Sequence, residues 1–257
     1  MASMAEEGKE EEVKATREET VLAILQESQR PGSVPLSKTF CQQGHAKTTT
    51  PGPLAEIVRR GREAALDQYL LALAWASGGD HEVRHDSRVW ARAIGAAADD
   101  SGRAAVSRNW AFLASLKLVT VKRVGRLAQV TLLSEDGHGD EYAHPGETHK
   151  PYAKIPFAYW EDGHHESLSL SAKAILLIAL TLADEFTLPA DRGPQWYGLS
   201  PSTVQRGLRE LRQAELLKVD KVRVTAPLAP AGFTIVHLYT LRPPFGPKRR
   251  ARKGDEK

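Results

Sequence analysis

Cysteine is almost absent from this chain of 257 residues, which contains only Cys41. A single cysteine cannot form an intrachain disulfide bond, so the fold cannot depend on disulfide cross-links. The sequence also lacks a long apolar run, since the best candidate, residues 174–183, is bounded by Lys173 and Asp184. That run is far shorter than the ~20 residues of a membrane-spanning helix. The chain begins with charged residues rather than a secretory signal, so these absences predict a protein of the reducing cytoplasm.

Common motifs of enzyme chemistry are missing as well. The sequence contains no glycine-rich phosphate loop, no nucleophile elbow and no paired zinc cysteines. Residues 81–85 (HEVRH) match the pattern of two zinc-binding histidines one helical turn apart. However, Arg84 and Asp86 interrupt the apolar surroundings of such a helix, and a cation beside Zn²⁺ is electrostatically unfavourable. We therefore expect an extended segment at residues 81–85 and predict a protein without catalytic residues, metal or cofactor.

The histidines near the middle of the chain raise the same question of metal binding. His138, His144 and His149 lie among acidic residues in a polar, glycine-rich stretch. A metal site here would require this stretch to fold around the ion, so we expect a solvated linker instead. Cys41 has no basic neighbour that would lower the pKa of its thiol, so a nucleophilic role is not expected.

Charge is distributed unevenly along the chain, although the net charge is only +3. Residues 1–30 contain eight acidic and four basic residues, whereas residues 243–257 contain six basic and two acidic ones. Blocks of this kind are typical of solvated arms, and basic arms often contact polyanions. The N-terminal arm is a candidate contact for a homodimer or for a replication or transcription partner.

Hydrophobic periodicity divides the chain into five parts. Two segments have the sequence pattern of helix, short strand, helix, helix and two strands, and the rest is polar or rich in turn residues. The predicted parts are a disordered acidic arm at 1–53, a first domain at 54–133, a linker at 134–153, a second domain at 154–242 and a disordered basic tail at 243–257. The fold class is therefore mainly α with small β hairpins (α+β).

The two domains repeat each other with an offset of 98 residues. Val106, Arg108 and Leu113 align with Val204, Arg206 and Leu211, and three further matches follow in the next strand. Trp110 and Leu208 keep the position between them apolar, so the apolar residues are spaced by four and three, which places them on one buried face of a helix. The repeat therefore covers the third helix of each domain and the strand after it.

These elements resemble the winged helix-turn-helix superfamily. Residues 199–211 (LSPSTVQRGLREL) are similar to its recognition helix, and residues 106–119 are similar to a lesser degree. Residues 86–95 (DSRVWARAIG) are similar to the helix before it, although the turn before the third helix of the first half is longer than usual. The resemblance implies two tandem winged helix-turn-helix domains, a double-stranded-DNA partner and a nucleoid-associated location.

The predicted DNA contacts lie on the outward faces of the third helices and on the hairpins. Ser200 and Pro201 are suited to begin a helix whose amides attract phosphate, and Gln and Arg can pair with base edges in the major groove. In the second domain the candidates are Ser202, Thr203, Gln205, Arg206, Arg209, Arg212 and Arg223. In the first domain, where residues 101–126 contain six basic residues and no acidic one, they are Arg103, Ser107, Arg108, Asn109, Lys122, Arg123 and Arg126.

Three functions remain open at this point. The leading hypothesis is a sequence-specific double-stranded-DNA-binding transcriptional regulator. A plasmid or mobile-element replication initiator that binds origin repeats is an alternative, since the resemblance extends to such proteins. A winged-helix module that binds other proteins is the third.

Overall fold

The computed structural model describes residues 14–44, 48–97, 99–147 and 151–246. They form a mixed α/β fold with small antiparallel sheets. No helix in these ranges is both long and apolar enough to cross a membrane.

The described part of residues 14–53, which we call the brace, is folded. It contains α1 (Arg17–Glu27), β1 (Ser33–Ser37), α2 (Lys38–Cys41), β2 (Gln42–Gln43) and β3 (Thr50–Pro51). A capping box begins α1, because Thr16 and Glu19 each accept a hydrogen bond from the other's backbone N–H. The prediction of a disordered arm at 1–53 is thus wrong for the brace, whose short apolar faces are hidden among many charged residues; residues 1–13 and 45–47 lie outside the described residues.

The first repeat, residues 54–133, has a three-stranded antiparallel sheet against its helices. Its elements are α3 (Leu54–Arg59), α4 (Glu63–Trp75), β4 (Glu82–His85), α5 (Ser87–Ala93), α6 (Asp100–Ser115), β5 (Val119–Val124) and β6 (Leu127–Leu132). The strand order is β4-β6-β5, so the short first strand pairs with the last one. Gly125, with φ +61°, supplies the left-handed residue of the tight turn between β5 and β6.

The connection between the repeats is packed rather than solvated. Its last residues enter β7 (Tyr152–Pro156), which pairs antiparallel with β1 of the brace. Glu135 and Tyr142 are buried, and Leu133 forms a bridge to Glu141. The prediction of a free linker at 134–153 is therefore wrong for its described part, because the buried Glu135 and Tyr142 anchor a stretch whose composition suggests solvation.

The second repeat, residues 154–242, begins with β7 and two short helices and then follows the order of the first. Its remaining elements are α7 (Ala158–Glu161), α8 (His164–Ser167), α9 (Leu170–Leu180), β8 (Glu185–Phe186), a 3-10 turn (Ala190–Arg192), α10 (Gly193–Tyr197), α11 (Pro201–Gln213), β9 (Leu217–Thr225) and β10 (Phe233–Leu241). The strand order β8-β10-β9 matches that of the first repeat. Beyond it, Phe245 is buried near the Tyr159 ring, so the predicted disordered tail does not begin at residue 243; residues 247–257 lie outside the described residues.

Matching backbone details support the offset of 98 residues. Lys117 and Glu215 both adopt left-handed φ values, of +56° and +59°, just after α6 and α11, which are the predicted third helices of the two domains. In each repeat the next residue is a leucine whose N–H bonds back into the helix, at 3.1 Å in the first repeat and 2.9 Å in the second. The two third helices therefore end in the same way, with a left-handed cap that directs the chain into the hairpin.

A buried ion pair joins the two repeats. The ammonium group of Lys173 in α9 lies 2.9 and 2.8 Å from the two carboxylate oxygens of Asp67 in α4, and 2.8 Å from Glu63. Lys173 is only 1% exposed. Arg17 of the brace adds a contact to each side, because its Nε donates to the Ala93 carbonyl oxygen and lies 3.2 Å from Glu166. These contacts join α4 of the first repeat to α9 of the second, and α6 and α11 pack against these two helices.

Candidate nucleic-acid interface

The start of α11 is organised by Ser200. Its hydroxyl oxygen accepts a hydrogen bond from the Thr203 N–H at 3.2 Å and lies 2.9 Å from the Ser202 hydroxyl. Pro201 occupies the first turn, where its missing N–H leaves no bond unmade. The predicted serine cap is confirmed, and the two hydroxyl side chains at this helix end are engaged with it.

One face of α11 is buried against α9, and the sequence explains how closely the helices approach. Val204, Leu208 and Leu211 are buried on this face, as their spacing predicts. Gly207 lies between them, and a Cβ there would be 2.5 Å from both the Ser171 carbonyl oxygen and Ile175. Glycine is therefore required at this crossing, a constraint that the sequence reasoning did not identify.

The opposite face of α11 carries most of the predicted contacts. Ser202, Gln205, Arg209 and Arg212 are exposed, and Thr203 is half-buried. Arg206 is also exposed, but its Nε donates to the Ser171 hydroxyl at 3.1 Å, so it contributes to packing against α9.

This face borders a cleft of about 440 Å³ between α11, β10 and the segment 187–190. Gln205, Arg209 and Arg212 line the helix side of the cleft, and Ile235 and His237 are among the residues on its strand side. Beyond them Arg223 stacks over the Phe233 ring, with its guanidinium carbon 4.9 Å from the ring centre. The cleft thus combines cations and hydrogen-bonding groups with an apolar wall.

The first repeat has an equivalent cleft of about 430 Å³ between α6 and the β5–β6 hairpin. Its described lining contains no acidic residue and includes five of the predicted contacts, Arg103, Ser107, Lys122, Arg123 and Arg126. The side chains of Lys122, Arg123 and Arg126 are exposed at the hairpin. The two repeats therefore place cations at corresponding clefts, and the lining of the first is the more basic.

Both clefts contain cations that form no ion pair. Within the described ranges, Lys122, Arg126, Arg209 and Arg212 form no ion pair, and neither does the exposed Arg108 of α6. A cation without a protein partner remains available to a phosphate group.

The N-terminus of α6 differs from that of α11 because carboxylates occupy it. Asp99 caps the helix, and the Ser101 hydroxyl and the Gly102 amide hold the pKa of that carboxyl below its usual range. Asp100 forms an ion pair with Arg103. Arg103 is consequently less available to an anion than its position in the sequence suggests.

Asn109 is the one predicted contact that lies inside the protein. It is 7% exposed, and its side-chain amide donates to the Gln68 side-chain oxygen at 3.0 Å. Gln68 in turn donates to the Val106 carbonyl oxygen at 3.4 Å, which ties α4 to α6. The prediction that Asn109 faces outward is wrong, because Asn109 borders the buried Trp110 and finds a polar partner on the neighbouring helix.

The described histidine motifs do not form a metal site. The predicted extended segment is confirmed for β4, Glu82–His85, but not for His81, whose φ of +50° is left-handed. The His85 ring stacks on Trp75 with 3.6 Å between ring centres. His138 lies 3.1 Å from Asp136, and His149 lies outside the described residues. No group of three or more His, Cys, Asp or Glu residues in the described ranges could hold a metal ion. Cys41 is buried, and burial raises the pKa of its thiol.

No protein family, curated protein or solved structure matches the chain in sequence or fold comparisons.

Proposed function

We propose that this protein is a sequence-specific double-stranded-DNA-binding protein built from two tandem winged helix-turn-helix domains, and that it acts as a transcriptional regulator associated with the nucleoid. The observation that carries the proposal is the pair of equivalent clefts, each between a third helix and a hairpin. Each cleft contains cations that have no acidic partner in the described chain. A third helix in the major groove with a hairpin beside it on the backbone is the docking geometry of helix-turn-helix proteins.

The two clefts suit different parts of a duplex. Lys122 and Arg126 on the first hairpin match phosphate groups, which accept charge-assisted hydrogen bonds but carry no sequence information. Gln205 and Arg209 on α11 can form paired hydrogen bonds with adenine and guanine edges, and Ile235 can contact a thymine methyl group. Ser202 and Thr203 lie in the first turn of α11, at the helix end where a phosphate would dock, and both hydrogen-bond with the capping Ser200 hydroxyl.

The experiment is a fluorescence-anisotropy titration of genomic fragments and random duplex DNA over a range of salt concentrations. The test variants are Lys122→Ala with Arg126→Ala, and Arg209→Ala with Arg212→Ala. The matched control is Arg59→Ala with Arg60→Ala, which removes two exposed cations that pair with Glu56 on α3. Lys122→Ala with Arg126→Ala should reduce the slope of log affinity against log salt by about 2, at roughly 0.9 per phosphate contact. Arg209→Ala with Arg212→Ala should reduce it by about 1, because Arg209 is assigned to a base edge, and the control should not change it.

Gln205→Ala tests sequence reading separately from charge. It removes no charge, so binding to random DNA should persist while the preference for a selected fragment falls roughly tenfold. Wild-type protein that binds neither kind of duplex at low salt would refute the proposal.

A protein-binding module is a second candidate, favoured by the second hairpin. Val222 and Val224 on β9 are 41% and 45% exposed, Ile235 on the neighbouring β10 is 53% exposed, and β9 is an edge strand with unpaired backbone groups. Exposed apolar side chains on an edge strand favour pairing with another chain. Failure of DNA binding, together with a cross-linked complex through β9, would support this second function.

A further inference from the structure

The basic cleft of the first repeat lies close to the start of α1. Arg17 in the first turn of α1 donates to the Ala93 carbonyl oxygen at 3.2 Å. Arg92 donates to the Thr20 hydroxyl at 2.7 Å, so this turn packs against the last turn of α5. Ser87, at the other end of α5, lines the cleft. Because the six steps from Ser87 to Ala93 rise by only about 9 Å, one short helix separates the start of α1 from the cleft.

An exposed cation marks the path along this helix. Arg88 is exposed on α5, and its side chain forms no ion pair within the described ranges. It precedes Arg92 by four residues, so the two side chains share one face of α5. Because Arg92 bonds to α1, that face connects the start of α1 with the cleft, and Arg88 extends the positive charge of the cleft along it.

The residues that precede the described chain carry the opposite charge. Residues 1–13, which we call the acidic segment, contain five glutamates and one lysine, a net side-chain charge of −4. The cleft has no acidic residue in its described lining, and its Lys122 and Arg126 form no ion pair in the described ranges. An acidic segment attached beside an unpaired basic cleft acts there at a high effective concentration, so even weak charge pairing is effective.

The acidic segment is long enough to reach the cleft. Glu10, Glu11 and Glu12 precede Arg17 by five to seven residues, which span up to about 17–25 Å when extended. The remaining glutamates precede Arg17 by ten and eleven residues, which span up to about 33–40 Å. These lengths exceed both the ~9 Å of α5 and the dimensions of a cleft of about 430 Å³.

We propose that the acidic segment binds the basic cleft of the first repeat and competes there with DNA phosphates for Lys122 and Arg126. Its carboxylates take the charge-assisted hydrogen bonds that phosphate oxygens would otherwise accept. The regulatory consequence rests on the proposed function, because occupying the cleft lowers DNA affinity only if the cleft binds DNA. A segment that occupies the cleft about nine-tenths of the time lowers that affinity about tenfold.

The first test uses the full chain without DNA. A water-soluble carbodiimide joins a carboxylate to a lysine amine when the two groups are in contact, and Lys122 is the only lysine in the described lining. Mass spectrometry of digests should show the acidic segment linked to Lys122, and about 1 M sodium chloride should suppress this product. Lys221 is the matched control, because it is an exposed lysine without an ion pair in the described part of the second hairpin.

Two outcomes of this test would overturn the proposal. One is linkage to Lys221 as frequent as linkage to Lys122. The other is linkage to Lys122 that rises with protein concentration, because it would place the acidic segment on a second copy of the chain.

The second test measures DNA affinity after all five glutamates of the acidic segment are replaced by glutamine (Glu6, Glu7, Glu10, Glu11 and Glu12). Affinity for random duplex DNA at low salt should rise about tenfold in the anisotropy titration. An acidic segment that does not bind the cleft would also repel DNA, so the same replacements are made together with Lys122→Ala and Arg126→Ala. There the gain should fall below about twofold, because the cations that hold the segment are absent. Equal gains in the two backgrounds would overturn the proposal.

The two tests separate this contact from the proposed function. Preferential linkage to Lys122 in a protein that binds no duplex would refute DNA binding, and with it the competition, but would establish the contact. DNA binding without preferential linkage to Lys122 would refute the contact alone.

Discussion

Replacing Lys173 by methionine should be among the most destabilising substitutions in the protein. Lys173 is 1% exposed, and its ammonium group is held by Asp67, which is 6% exposed. Methionine fills nearly the same volume but leaves the Asp67 carboxylate buried without its cation. Breaking a buried ion pair by removing one partner costs about 3–5 kcal/mol, so the free energy of unfolding at pH 8 should fall by that amount.

The pH dependence of this loss follows from Asp67. Burial raises the pKa of Asp67 to about 6 in the wild type, even though the Lys173 ammonium group opposes the shift. Without Lys173 the pKa of Asp67 must rise further, because the ammonium group stabilises only the ionised form of that carboxyl. As the pH falls from 8 towards 6, the carboxyl is protonated in the variant before it is in the wild type, so the destabilisation should shrink by at most about 1.4 kcal/mol per pH unit and should level off below about pH 6, where the carboxyl is neutral in both proteins.

The assay is urea denaturation at pH 8, 7, 6 and 5, monitored by circular dichroism. The double variant Lys173→Met with Asp67→Leu is the control, because replacing both charges by apolar groups should recover most of the lost stability. A loss below about 1 kcal/mol for Lys173→Met at pH 8, or a double variant as unstable as the single one, would refute the reasoning.

Three further predictions concern the third helices. Glu215→Gly, and likewise Lys117→Gly, should raise the unfolding free energy by about 1 kcal/mol in urea titrations, because glycine adopts the left-handed φ at these caps without strain; the alanine variants should show no gain. Gly207→Ala should lower the melting temperature and reduce the free energy of unfolding by roughly 1–3 kcal/mol, because its methyl group would clash with α9. Asn109→Ala should cost about 1–3 kcal/mol by leaving Gln68 without its donor, yet the folded variant should bind DNA with wild-type affinity in the anisotropy titration.

The second repeat shows how far local sequence determines structure. The two predicted strands of its hairpin form at 217–225 and 233–241, because polar and β-branched residues alternate on either side of a turn rich in proline and glycine. α11 begins within one residue of its predicted start because Ser200 and Pro201 mark it. In these elements the deciding interactions lie within a few residues, so the sequence alone is sufficient.

The brace and Asn109 show where sequence reasoning fails. β1 is a strand because it pairs with β7, and Glu135 is buried because it bonds to Ser37, 98 positions away. Average composition cannot identify such partners, so a charged segment with a few apolar residues is indistinguishable from a disordered arm. Helical spacing likewise places Asn109 at the edge of the buried face, and only the position of Gln68 determines that it lies inside.

The pairing of β1 with β7 has a consequence for the order in which the protein is completed. The chain leaves the ribosome from its N-terminus, so β1 emerges long before Tyr152–Pro156 is synthesised. The first repeat therefore emerges while the strand beside it still lacks its partner, and closure of this long loop must await much of the remaining chain. A fragment that stops at residue 133 would carry β1 with an open edge, and its stability would understate that of the same residues in the intact protein.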